Sequence, residues 1–325
     1  MSASIETKPA AAQGSARMLV AAGIWVLLLL VPLWLPALGG YTDLATRALI
    51  YAIAASGLNL VLGYTGGLSF GHAAYFGLGA YGAGLCLIYI APSLPLAILA
   101  GTVLGGIAGI LVGPMAMKRK GIYFAMITIA FGQMFYFIAV RWNALTGGED
   151  GLTGFSRVPL HLGGHAINMG PVRFYYLVLA LFALVMLVLW QILRSPLGHS
   201  FVAVRENTTR LRFLGVAVDK QIWVAFAIST FITALAGALN ALLTGFASPD
   251  NLGWQLSGSF VVICVLGGMR SYWGPFLGAI IFIVAQDYLS SVTQNWMSFI
   301  GLIFVLAVLF FPQGLLGFIK GRARS

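Results

Sequence analysis

Long apolar runs alternate with short polar breaks along the chain, and the runs have the length of membrane helices. A helix that crosses a bilayer needs about 20 mainly apolar residues. Runs of this kind fall at Met18–Pro36, Leu44–Leu62, Phe70–Ile90, Leu94–Met117, Ile122–Val140, Phe174–Leu193, Ile222–Phe246, Gln255–Gly267, Gly274–Ser290 and Trp296–Phe311. The pattern predicts an all-α polytopic integral membrane protein of about ten transmembrane helices, eight at the least. Gln255–Gly267 is short, and glycines at Gly63–Gly67 and Gly267–Gly268 sit where helices should end. Some spans are therefore expected to be broken or re-entrant. The first run is longer than the apolar core of a signal peptide, and no small-x-small cleavage site follows it, so it reads as an uncleaved anchor.

Two polar breaks are long. Residues 142–171 form one, with Thr146–Gly154 (TGGEDGLTG) near its start. Residues 194–221 form the other, and its pattern predicts a short helix from Val202 to Leu214. Val202, Leu211 and Leu214 would share its apolar side, with Arg205, Glu206 and Arg212 left in water.

Charge sets the orientation. With the N-terminus inside, fourteen of the 18 Lys and Arg fall on the cytoplasmic side, among them Lys118-Arg119-Lys120, Arg194, Arg205, Arg210, Arg212, Lys220 and Arg270. Only Arg47, Arg141, Arg157 and Arg173 fall at the outer face. The positive-inside rule then places both termini in the cytoplasm. The expected organisation is a cytoplasmic tail (1–17), one transmembrane domain (18–319) and a basic cytoplasmic tail (320–325). The 142–171 loop is external and the 194–221 loop internal.

Composition agrees. The chain is 60% hydrophobic and 8% charged, against about 25% charged in a soluble domain. The formal net charge of +10 would suggest nucleic acid in a soluble protein. Here the basic residues punctuate apolar runs, so they report topology and no nucleic-acid partner is expected. Cys86 and Cys264 both lie inside apolar runs and read as packing residues. Glycine at Gly101, Gly105, Gly109 and Gly113 recurs every fourth residue, a ladder that lets another helix approach closely.

Candidate chemistry is sparse. No GxxxxGK[ST] phosphate loop and no HExxH zinc motif occurs. His161 and His165 are spaced i, i+4 but lie in a Gly-rich loop, so no metal and no cofactor is expected. Intramembrane acids are nearly absent, Asp287 being the one candidate. A stand-alone secondary carrier would be expected to hold a buried coupling carboxylate, and a membrane-embedded enzyme a catalytic cluster. The sequence reads instead as a permease whose energy comes from elsewhere.

Five segments carry a family resemblance. Gly57–Leu85 (GLNLVLGYTGGLSFGHAAYFGLGAYGAGL) closely resembles the signature of bacterial branched-chain amino acid ABC importer permeases, the LivH/LivM family, and is nearest to the M type. Lys120–Phe137 with Leu145–Gly154, Val204–Val216, Val265–Ile281 and Phe311–Gly317 are similar to the same family, in the same order. The resemblance implies an inner-membrane importer for leucine, isoleucine or valine. Its partners would be an H-type permease subunit, two cytoplasmic ATPase subunits and a periplasmic binding protein. Relatives of this architecture look suited to urea, short amides or aromatic acids. The internal loop would be the coupling element, with Arg205, Glu206, Asn207, Leu211 and Gly215 as its candidate residues. It departs from the Glu-Ala-Ala-x3-Gly pattern, since Gly215 lies nine residues after Glu206. Candidate pathway residues are Asn59, Thr65, Ser69, His72, Gln133 and Asn240, with Tyr64, Tyr75 and Phe76 as walls. Each polar one could equally be satisfied by a neighbouring helix.

Overall fold

The computed structural model describes residues 23–35, 39–119, 121–156, 158–162, 165–310 and 314. Both expected tails, the start of the first run, Lys120, Arg157 and all of the Phe311–Gly317 motif except Gly314 lie outside the described residues.

Among the described residues, seven helices are long and apolar enough to span a membrane. They are α2 (Thr42–Thr65), α3 (His72–Ile90), α4 (Leu94–Ala116), α5 (Ile122–Arg141), α7 (Pro171–Arg194), α10 (Val218–Thr244) and α12 (Gly274–Val292). Three apolar helices are shorter: α1 (Gly23–Trp34), α11 (Trp254–Gly267) and α13 (Trp296–Phe310). The order of these apolar helices follows the sequence pattern, but ten full-length spans are not what the described residues show. At 1.5 Å per residue, the 14 residues of α11 reach about 21 Å, short of a hydrocarbon core of about 30 Å. Between α5 and α7 lie a one-turn helix, α6 (Asn143–Thr146), and a small antiparallel hairpin, β1 (Leu160–Leu162) with β2 (His165–Ile167).

Helix α2 is the hub. Buried residues make up 94% of its apolar window, and it packs against α7, α10, α11 and α12. Its last six residues, Leu60–Thr65, are wound as a π-helix, and Gly66 ends it in the left-handed region (φ 80°). Helix α3 then turns back across α4 and α10. The glycine ladder of α4 makes that packing close. A Cβ at Gly105 would lie 2.5 Å from the Ala234 Cβ of α10 and 2.8 Å from the Tyr75 carbonyl of α3. Close approach of backbones lets dispersion hold helices together where lipid offers no hydrophobic drive.

The connections at one end of the bundle are built rather than slack. Leu152 and Ala247 exchange backbone hydrogen bonds at 2.9 and 3.0 Å, which latches the 142–171 loop to the α10–α11 turn. Thr146 Oγ1 donates to the Trp142 carbonyl at 2.8 Å. At the same end Tyr41 donates to Asp287 at 2.6 Å; this bond, then burial and the Asp287 charge, raise the tyrosine's pKa. Helix α1 is fastened to α7 by two hydroxyls, Tyr175 to the Leu28 carbonyl at 2.6 Å and Tyr176 to that of Leu29 at 3.1 Å.

The internal loop differs from expectation. One helix over Val202–Leu214 is replaced by two, α8 (Pro196–Glu206) and α9 (Thr208–Phe213). Asn207 separates them in an extended conformation (φ −157°, ψ 91°), and its side chain caps α9 by accepting from the Arg210 N–H at 2.9 Å. An asparagine with a free N–H three residues ahead favours a cap over continued helix. Phe201 and Val204 face inward, while Phe213 and Leu214 are 88% and 71% exposed. Leu214 therefore does not pack back on the spans as part of a buried apolar side.

Candidate functional site

The candidate pathway residues fall into two groups that the fold assembles, and two that stand apart. The first group centres on His72, at the start of α3 and 0% exposed. Its Nδ1 lies 2.8 Å from Ser69 Oγ, and its Nε2 lies 2.6 Å from Ser229 Oγ on α10. The Ser229 hydroxyl donates to the Gly57 carbonyl at 2.6 Å. A hydroxyl has one proton, so Ser229 must accept from an Nε2–H, and Nδ1 must accept from Ser69. Tyr75 sets its ring edge-on to His72 and to Phe226, at 6.0 and 5.7 Å. The chain from Gly66 to His72 is pinned further by Phe70 N–H donating to Thr128 and Ala73 N–H donating to Ser257, at 3.2 and 2.8 Å.

Within this knot, Gly67–Gly71 reads GLSFG, the Gly-x-Ser-x-Gly pattern of serine hydrolases, with a histidine against its serine. The sequence reading took this pattern to be absent, and Gly67–Gly71 corrects it. The geometry does not make this motif a hydrolase site. Ser69 and His72 are both 0% exposed, the second ring nitrogen meets a serine instead of a carboxylate, and no strand precedes the turn. Ser69, His72 and Ser229 hold α2, α3 and α10 together.

The second group surrounds the break at the end of α2. Asn59 Nδ2 donates to the Ser271 carbonyl at 3.2 Å. Asn59, Ser56 and Tyr64 line a cavity of about 10 Å³ with Leu189, Tyr272 and Pro275. That is room for about one water. Asn59 Oδ1 and Ser56 Oγ are buried there without a protein partner among the described residues. Ser56, Ser271 and Tyr272 were not legible as members of this group, because they join it through tertiary contacts. Thr65 is turned back on its own helix and donates to the Val61 carbonyl at 2.7 Å.

Gln133 and Asn240 stand apart. Gln133 is half-buried on α5. Asn240, buried on α10, lies about 16 Å along that helix from Ser229 at 1.5 Å per residue.

Arg205 overturns its expected wet position. It is half-buried, and its guanidinium donates to the Gly63 carbonyl and, at 3.4 Å, to that of Leu62. Carbonyls at a helix end lack onward partners and carry negative partial charge, so they attract a cation. Burial and, to a lesser degree, Arg270 lower the Arg205 pKa, yet arginine keeps its charge. Glu206 Oε1 lies 3.7 Å from Arg270, and both side chains are well exposed. Leu211 is half-buried and Gly215 is exposed in the left-handed region (φ 78°). Among the described residues, no three of His, Cys, Asp and Glu stand together as a metal site. Both cysteines are buried and unpaired with each other.

Residues 40–309 match the family model described as the branched-chain amino acid transport system / permease component. The chain belongs to this permease family. It is 31% identical over 297 residues to the high-affinity branched-chain amino acid transport system permease protein LivM of Escherichia coli (strain K12), covering 85% of this chain and 70% of that one. LivM of Salmonella typhimurium (strain LT2) is 32% identical over 301 residues, with the same coverage. The family is broader in what its members are named for. The autoinducer 2 import system permease protein LsrC of Enterobacter sp. (strain 638) is 29% identical over 245 residues, or 70% of this chain and 67% of that one. No solved structure matches. The permease is a multi-pass membrane protein, and the relatives it resembles are transport components.

Proposed function

We propose that the permease is the M-type subunit of an ATP-driven ABC importer in a bacterial inner membrane, moving branched-chain amino acids from periplasm to cytoplasm. Its partners are an H-type permease, two cytoplasmic ATPase subunits and a periplasmic binding protein. The observation that carries the reading is the exposed apolar tip Phe213-Leu214, flanked by Arg210 and Arg212, on a chain with no phosphate loop of its own. Two large apolar side chains held in water beyond a membrane bundle form a docking surface. A separate ATPase is the occupant that explains both features. Arg194 ends α7 just before α8, Arg205 lies on α8 and Arg270 faces Glu206 of α8, while Glu149, Asp150 and Asp250 lie in the connections that Leu152–Ala247 latches together. That polarity supports a cytoplasmic coupling loop and cytoplasmic termini.

Uptake by proteoliposomes holding the two permeases and two ATPases tests the reading. It should require ATP and the binding protein, and leucine, isoleucine or valine should compete better than urea, short amides or aromatic acids. Uptake by this chain alone, without ATPases, would make it a secondary carrier. Phe213→Asp with Leu214→Asp should abolish co-purification of the ATPases while the permease pair stays intact. ATPase recovery at the wild-type level would move the docking surface elsewhere, the Lys118–Lys120 turn being next.

A further inference from the structure

Two helix breaks and the coupling element meet at one point. Helix α2 ends in its π-wound turn at Thr65, and α11 ends at Gly267 before the bend of residues 268–273. Asn59 ties the first break to the second through the Ser271 carbonyl. There is no slack between them, because a Cβ at Gly63 would lie 2.9 Å from the Arg270 backbone nitrogen. Arg270 itself is held in the left-handed region (φ 65°), where among the described residues no other non-glycine residue sits. A side chain stays in that region when its surroundings fix it. Helix α8 closes the ring from the other side. Arg205 donates to the Leu62 and Gly63 carbonyls of the first break, and Glu206 faces Arg270 in the second. The Arg205 stem also lies over Gly66, where a Cβ would come within 3.1 Å of its Cγ.

We propose that Arg205 is a positioning residue: its guanidinium clamps the broken end of α2 to α8, so that a displacement of α8 moves both helix breaks together. This rests on the reading of α8–α9 as the coupling element, but it assigns Arg205 to the inside of the chain and not to the ATPase surface. The chemistry is specific to arginine. One guanidinium nitrogen, Nη1, reaches two successive carbonyls, and the guanidinium holds its charge when half-buried, whereas a lysine ammonium gives up its proton more readily. The Glu206–Arg270 pair is exposed and long, so it contributes little by itself; the orphan carbonyls under Arg205 carry the contact.

The test uses the full complex in nanodiscs with Arg205→Met, which keeps the stem, Arg205→Lys, which keeps the charge, and Gly66→Ala, which crowds the stem and also strains the left-handed turn at Gly66 (φ 80°). ATPase subunits should co-purify with all three. The stimulation of ATP hydrolysis by solute-loaded binding protein should fall about tenfold in Arg205→Met and in Gly66→Ala, within the usual range of a coupling between sites. Arg205→Lys should recover part of it, and the Met–Ala double variant should be no worse than either alone. Wild-type stimulation in both single variants overturns the clamp. Loss of the ATPases from Arg205→Met overturns it differently, by placing the guanidinium on the ATPase. Spin labels at His199 and Met269 give a readout that needs no transport at all. Their distance should lengthen and broaden in Arg205→Met, and an unchanged distribution rejects the clamp even where the importer reading stands. Absence of ATP-driven uptake in the wild type would reject that reading and leave the spin-label result to decide the clamp.

Discussion

At His72 the partners of its two nitrogens explain why a polar side chain sits at the start of a membrane helix. Both ring nitrogens are engaged inside the protein, and the proton order is fixed by the single proton of Ser229. Ser229→Ala removes the acceptor for Nε2–H and the donor to Gly57. A buried polar group left without a partner costs about 1–3 kcal/mol. The purified variant should therefore melt at a lower temperature while its insertion is normal, and an unchanged melting temperature would mean that the three-residue chain of hydrogen bonds contributes nothing. Asn59 differs from His72 because one of its atoms, Oδ1, is buried without a protein partner among the described residues and the residue lines a cavity. Asn59→Leu fills that space and cuts the bond to Ser271. Uptake should suffer more than assembly; uptake kinetics equal to wild type would take this break out of the transport cycle. The residue scale is also where the sequence was least legible. Arg205 looked solvated because charged residues surround it in the chain, yet its partner carbonyl lies 142 residues away. Ser229, beside Thr230, and Ser271, beside Arg270, gave no signal of the contacts they make.

Helices were far more legible than contacts, for a physical reason. A run of about 20 apolar residues is required by bilayer thickness alone, whatever the helix later touches. Boundaries set by local caps were harder to read, as Asn207 shows: its pattern continues an amphipathic helix, but its side chain ends one. The ladder on α4 lies between these cases. Its spacing announced a close helix contact, and the fold supplies the partners, α10 and α3. Gly105→Leu would drive a branched side chain into Ala234 and the Tyr75 carbonyl. Overpacking typically costs about 1–3 kcal/mol, and there is no loop here to absorb the shift. Expression and complex recovery should drop, with recovery restored in part by Gly105→Ala. Full recovery of the leucine variant would show that α4 and α10 separate without penalty.

For the whole molecule, the strongest commitment is sidedness. Single cysteines at Glu149 and Arg210, both exposed, should label from opposite faces in intact cells, with Glu149 reached from the periplasm. Labelling of both from one face would refute the arrangement of the bundle in the membrane. The docking of α1 adds a constraint in time. Its two anchoring tyrosines lie 147 residues downstream of the carbonyls that they grip. During synthesis at about 5–20 residues per second, α1 leaves the ribosome roughly 7–30 s before α7 exists to receive it. Over that interval α1 lies in the lipid without the two hydroxyls that later grip its carbonyls. It is then held by its own hydrophobicity, and its capture by α7 waits until that helix is made.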